Sequence, residues 1–124
     1  MIYDMTQEQL AGMLDVLPME LAFIDADDKV RFWNRTEGRG PGWQPSALGK
    51  PAQACHQDSS VPAVNSILHK LKNRARDVVE RKVTSNGEEK RFRWYAVRDA
   101  NGRYLGTVEV IQYGTEIAQD SEHG

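Results

Sequence analysis

The chain has a single cysteine, Cys55, among its 124 residues. An internal disulfide is therefore excluded, as is any zinc or iron–sulfur site built from several cysteines of one chain. Long apolar runs are also missing: no stretch approaches the roughly 20 residues that a membrane-crossing helix needs. Residues 1–13 lack the basic start and apolar core of a signal peptide, so the expected location is cytoplasmic. Neither charge sign dominates, with 16 Lys and Arg against 18 Asp and Glu. The basic residues alternate with acids instead of forming a block, which speaks against nucleic-acid binding. No catalytic Ser/His/Asp pattern, P-loop or dinucleotide fingerprint is present, and the expectation is a protein that is not an enzyme.

What remains suits one globular domain. About 40% of the residues are hydrophobic, enough for a single modest core at this length. Thr6 and Gln9 have the layout of a capping box, and Leu10, Met13, Leu14 and Leu17 follow at helical spacing, which predicts an amphipathic helix over 6–17 ending near Pro18. So short a helix is not stable alone, so its apolar stripe must cover something. Two short apolar runs, 21–24 and 30–33, flank Asp25, Asp27 and Asp28 and read as a hairpin. Residues 37–44, rich in Gly, read as loop, and 45–54 as short helical turns. A second helix is predicted over 60–73, with Val61, Val64, Ile67, Leu68 and Leu71 as its apolar stripe, Pro62 in its first turn and Lys70, Lys72 and Arg74 at its negative end. Three strands, about 77–84, 90–98 and 104–113, fill the rest, the first two joined at Asn86-Gly87, a strong hairpin dipeptide. This order gives an α+β fold with one antiparallel five-stranded sheet.

Two motifs carry a resemblance. Asp25, Val30, Phe32 and Asn34 match the opening hairpin of the PAS domain, with Asp28 where that family usually has Gly. Val97-Arg98-Asp99 and Gly102 match its closing hairpin. The line Ala54-Cys55-His56 and the stretch YAVRDANGRYLGTVEV further resemble the bacterial PAS domains found beside DUF438 and hemerythrin-like regions, over residues 10–113. There Cys-His usually precedes two prolines, where this chain has Gln57 and Asp58. The resemblance implies a leading helix at 1–17 packed on the sheet or on a dimer partner, a PAS domain at 18–114 and a flexible tail at 115–124.

It also sets which strand residues face the concave side, because side chains alternate along a strand. Phe92, Trp94 and Ala96 then point inward and Arg91, Arg93 and Tyr95 outward. On the last strand Thr107, Glu109 and Ile111 point inward and Val108, Val110 and Gln112 outward. Phe92 and Trp94 are either a pocket wall or plain core filling. Glu109 is either satisfied locally, aimed at a polar ligand, or turned to solvent by a one-residue bulge, because a bare buried carboxylate is costly.

Cys55 and His56 sit where a PAS chain lines its cavity. Adjacent side chains on a helix diverge by about 100°, so one of them is the better ligand-facing candidate. His56 is that one, a possible haem-iron ligand by analogy with PAS haem sensors, against the alternative of a surface or capping histidine. Cys55 is either a small buried apolar residue or a reactive thiol. Its neighbours Ala54 and His56 do not match the Asn-Cys-Arg-Phe-Leu-Gln signature of flavin photoreceptors, which argues against flavin.

The expected function is a sensory module that binds a small molecule or cofactor between helices and sheet. Its output passes through a homodimer or a separate protein, since no kinase, cyclase or DNA-binding segment follows. The alternatives are a haem sensor using His56 and an interaction scaffold without ligand.

Overall fold

The computed structural model describes residues 3–34, 45–55 and 60–114. Within it a helix α1 (Gln7–Asp15) leads into strands β1 (Glu20–Asp25) and β2 (Val30–Trp33). Two 3-10 turns (Pro45–Ala47 and Ala52–Cys55) precede helix α2 (Val61–Lys72), and strands β3 (Val78–Ser85), β4 (Glu88–Arg98) and β5 (Tyr104–Tyr113) follow. The strands form one antiparallel sheet in the order β2-β1-β5-β4-β3. The last strand in sequence thus lies at the centre. The α+β, five-stranded fold expected from the sequence is the fold observed.

Local chemistry sets each hairpin. Asn86 and Gly87 adopt φ of 53° and 78°, the left-handed pair that a two-residue turn demands. That turn pairs Ser85 with Glu88 and fixes the whole β3–β4 register, Arg81 opposite Phe92 and Val79 opposite Trp94. Between β4 and β5 the Asp99 carboxylate accepts from the backbone N–H of Asn101 and Arg103, both at 2.9 Å, and Gly102 takes φ 85°. In the first hairpin Asp25 does the same work, accepting from the N–H of Asp27 at 2.9 Å and of Lys29 at 3.0 Å. Asp28 takes φ 63° there, so an aspartate occupies the left-handed position at which glycine is usual.

Helix α2 lies on one face of the sheet because its stripe of Val64, Ile67, Leu68 and Leu71 is buried. Two apolar clusters result. Val64 and Leu68 pack with Ala22, Ile24, Val30 and Trp33, while Ile67 and Leu71 pack with Trp94. The C-terminal end of α2 is held by charge as well: Arg98 donates to the Leu71 carbonyl at 2.6 Å, Arg74 donates to the Gly102 carbonyl at 2.6 Å, and Lys72 pairs with Asp28 at 2.6 Å. These contacts satisfy or complement the carbonyl-rich helix end.

Helix α1 carries the full capping box, with Thr6 and Gln9 each accepting from the other's backbone N–H at 3.0 Å. It ends at Asp15, short of the expected residue 17. None of its residues is buried, and Leu10 and Met13 are 42% and 46% exposed. Its C-terminal end is attached through Asn34, which is 1% exposed. The Asn34 side chain donates to the carbonyls of Leu14 (2.7 Å) and Met19 (3.1 Å) and accepts from the Leu21 N–H at 2.6 Å. One amide therefore joins helix α1, its linker and the sheet.

Candidate functional site

Between the N-terminal half of α2 and the inner face of β3, β4 and β5 lies a cavity of about 300 Å³. Ser60 at the helix cap with Ala63, Val64 and Ile67 forms one wall, and Arg81, Val83, Phe92, Trp94, Glu109 and Ile111 form the other. The wall is built by register. Arg81, Phe92 and Ile111 are cross-strand neighbours in one row, and Trp94 and Glu109 in the next. Cross-strand neighbours share a face, so each row presents its side chains to the helix.

Phe92 and Trp94 stack with ring centroids 5.8 Å apart and planes 13° off parallel, giving the cavity a flat aromatic side. The indole Nε1–H of Trp94 donates to Glu109 Oε2 at 2.7 Å. Trp94 is 8% and Glu109 3% exposed, so this bond is made away from water, where a charge-assisted bond is strongest. Glu109 is thus neither turned to solvent nor displaced by a bulge: its pairing with Trp94 and Ala22 is regular. Next to it on the inner face, Thr107 is fully buried and its hydroxyl shares a hydrogen bond of 2.7 Å with Tyr104. Burial raises the Tyr104 phenol above its ordinary value, and the Thr107 bond offsets part of that.

The far rim differs in sign. Arg81 is exposed at the cavity edge, and no hydrogen bond or ion pair of its side chain is formed among the described residues. On the outer face the neighbouring arginines are engaged: Arg93 bonds Glu80 at 3.2 Å, and Arg91 approaches the same carboxylate at 3.9 Å. The cavity therefore runs from a carboxylate on its floor to a guanidinium at its edge, with aromatic surface between.

Of the residues singled out in the sequence, the fold brings Phe92, Trp94, Glu109 and Ile111 to this one cavity. Ala96 shares their face and packs beside Trp94. His56 and the tail 115–124 lie outside the described residues. The backbone of Cys55 closes the second 3-10 turn. Sequence reasoning missed Arg81, Val83, Ser60 and Ala63. For Arg81 and Val83 the signal was present: a two-residue turn at Asn86-Gly87 places them opposite Phe92 and Lys90. Among the described residues no cluster of His, Cys, Asp and Glu has the arrangement of a metal site, and no helix is long and apolar enough to cross a membrane.

A family model described as PAS domain matches residues 10–113. Among solved structures, a C-terminal domain from Streptococcus mutans is similar over 87% of this chain and 84% of its own, with 27% identity and a TM-score of 0.78. A sensory box sensor histidine kinase from Vibrio cholerae matches over 86% and 90%, at 11% identity and TM-score 0.65. A PAS domain from Colwellia psychrerythraea matches over 85% and 93%, at 14% identity and TM-score 0.59. The latter two likenesses are of fold alone. No curated protein matches the chain.

Proposed function

The chain belongs to the PAS domain family, whose members are typically sensory and signalling modules, and from that premise we propose that it senses a small molecule held between α2 and the sheet. The observation that carries this reading is the cavity itself. Its volume of about 300 Å³ falls at the lower end of small-molecule sites, and it combines apolar walls with a few convergent polar groups, as such sites do.

The fold suggests how occupancy would be transmitted. The C-terminal end of α2 is tied to the β1–β2 and β4–β5 hairpins by Lys72, Arg74 and Arg98, whereas its N-terminal half borders the cavity. A ligand that fits one tilt of that half better than another shifts the population of helix positions by its difference in affinity. The outer sheet face, with Tyr95, Val97, Val108 and Val110, and the exposed stripe of α1 would carry the change to a second copy of the chain or to a separate output protein. On Ala54-Cys55-His56 and the closing-hairpin stretch we also group it with the PAS domains that accompany hemerythrin-like regions. Its role in this reading is sensory, not catalytic.

A haem ligated by His56 is the second cofactor reading. The cavity lined by described residues, about 300 Å³, corresponds to about ten water-sized volumes, less than a tetrapyrrole occupies, and His56 lies outside those residues. Haem therefore enters as an outcome of the test. Purified protein is extracted and the released small molecules are identified by mass spectrometry, with an absorption spectrum of the intact protein recorded alongside. The Ala63→Phe variant, in which the added ring fills the cavity, is the control. A small metabolite released from the wild type and missing from the folded variant supports the proposal. A Soret band transfers it to haem, and equal release from both proteins overturns the pocket as the binding site.

A further inference from the structure

The proposed pocket is asymmetric in charge, and that asymmetry selects among ligands. Arg81 stands at the edge without an ion pair or hydrogen bond among the described residues, although Arg91 and Arg93 on the opposite face both reach Glu80. Lys90 shares the face of Arg81, one pair further along β4 opposite Val83, and its ammonium lies over the Tyr113 ring at 5.4 Å. The edge of the cavity is thus cationic. Its floor holds Glu109, 3% exposed, which repels an anion. β3 and β5 are separated by β4 and the two residues lie in adjacent rows, so Arg81 and Glu109 stand two strand spacings across and one two-residue step along, about 12 Å apart. The stacked rings of Phe92 and Trp94 fill that interval.

From these three features, which rest on the cavity being a ligand pocket, we infer that the ligand is a small planar aromatic or heteroaromatic acid. Its ring lies against Phe92 and Trp94, and its carboxylate meets the Arg81 guanidinium, a fork that matches a carboxylate in two parallel hydrogen bonds. The opposite orientation would set the ligand carboxylate against the buried Glu109 carboxylate, where like charges are costly. Size agrees: the cavity of about 300 Å³ accommodates a bicyclic ring with one carboxylate and little more.

The test is isothermal titration of the full chain with indole-3-carboxylate and with its neutral isostere indole-3-carboxamide. The acid is expected to bind at least tenfold more tightly than the amide. Arg81→Gln should remove that preference, and Arg93→Gln, on the outer face, should keep it. Circular dichroism confirms that both variants are folded. Equal binding of acid and amide to the wild type, or an acid preference that survives Arg81→Gln, overturns the inference and leaves the pocket reading standing. If neither probe binds, the inference falls. A mixture of neutral aromatic fragments then separates the two claims: binding that Ala63→Phe abolishes retains the pocket, and no binding removes it as well.

Discussion

Trp94 and Glu109 face each other across β4 and β5, and the indole N–H of one donates to the carboxylate of the other at 2.7 Å. The bond joins the aromatic wall of the cavity to its only charged floor residue among the described lining residues. It makes the indole a reporter of what enters the cavity, and it makes the pair energetically coupled.

That coupling is measurable. Trp94→Phe removes the donor and keeps a smaller aromatic ring, and is expected to cost about 1–3 kcal/mol because a buried acceptor loses this donor. Glu109→Gln weakens the same bond. In a double-mutant cycle by urea unfolding the two changes should be non-additive by about 1 kcal/mol, within the range for residues in direct contact. Strict additivity would show that the bond contributes nothing.

Gly106 permits β1 and β5 to close. A Cβ at this position would stand 2.3 Å from the Ile24 carbonyl oxygen and 2.6 Å from the Phe23 ring, and the backbone oxygen cannot move aside without opening the pairing. Gly106→Ala is expected to destabilise by about 3 kcal/mol. Gly12→Ala, in exposed α1 with nothing within 4 Å, should instead stabilise by up to about 1 kcal/mol. Thermal melts of the two variants should move in opposite directions.

Asn34 serves three partners from one buried side chain. Asn34→Ala leaves the Leu21 N–H and two carbonyls to find others, at an expected cost of about 2–3 kcal/mol. The loss should appear first as faster amide exchange in α1, whose attachment runs through the Leu14 carbonyl. Unchanged protection of α1 would contradict this role.

Stability should fall in acid. Burial works against the charge of Asp25, but the Arg31 guanidinium and the N–H groups of Lys29 and Asp27 outweigh it and hold the carboxyl below its ordinary value. The Arg103 N–H, against slight burial and with further help from Asn101 and the Arg103 side chain, does the same for Asp99. A folded value below the unfolded one means that the contribution is fully present above the unfolded carboxylate range, about pH 4, and is lost as pH falls through the folded value. The urea midpoint should be steady from about pH 7 to 5 and drop below about pH 4. The Asp25→Asn/Asp99→Asn double variant should show a shallower drop.

The hairpins were legible because their determinants are local. Asn86-Gly87, Asp99 with Gly102, and Asp25 each impose a turn through their own backbone or carboxylate. Once one aromatic strand had its parity, alternation carried Trp94, Glu109 and Ile111 to a single face. Arg81 was missed although the same turn arithmetic reaches it, because an arginine set between Glu80 and Lys82 in the stretch ERKVTS carries no signal without its partner row. Asp28 stands where the family usually has Gly and keeps the left-handed conformation, which aspartate visits only occasionally, so its residue type alone did not require it. The weak attachment of α1 was also hidden: an apolar stripe predicts that something covers it, and not what.

The measurement that tests the central claim most directly is the indole N–H signal of Trp94 in the proton–nitrogen NMR spectrum, assigned through Trp94→Phe. It would be followed while a mixture of small aromatic fragments is titrated into the full chain. If the cavity is a ligand pocket, the signal shifts and saturates in the wild type and stays fixed in folded Ala63→Phe. A Trp94 signal that does not move with any fragment in the folded wild-type protein would contradict it.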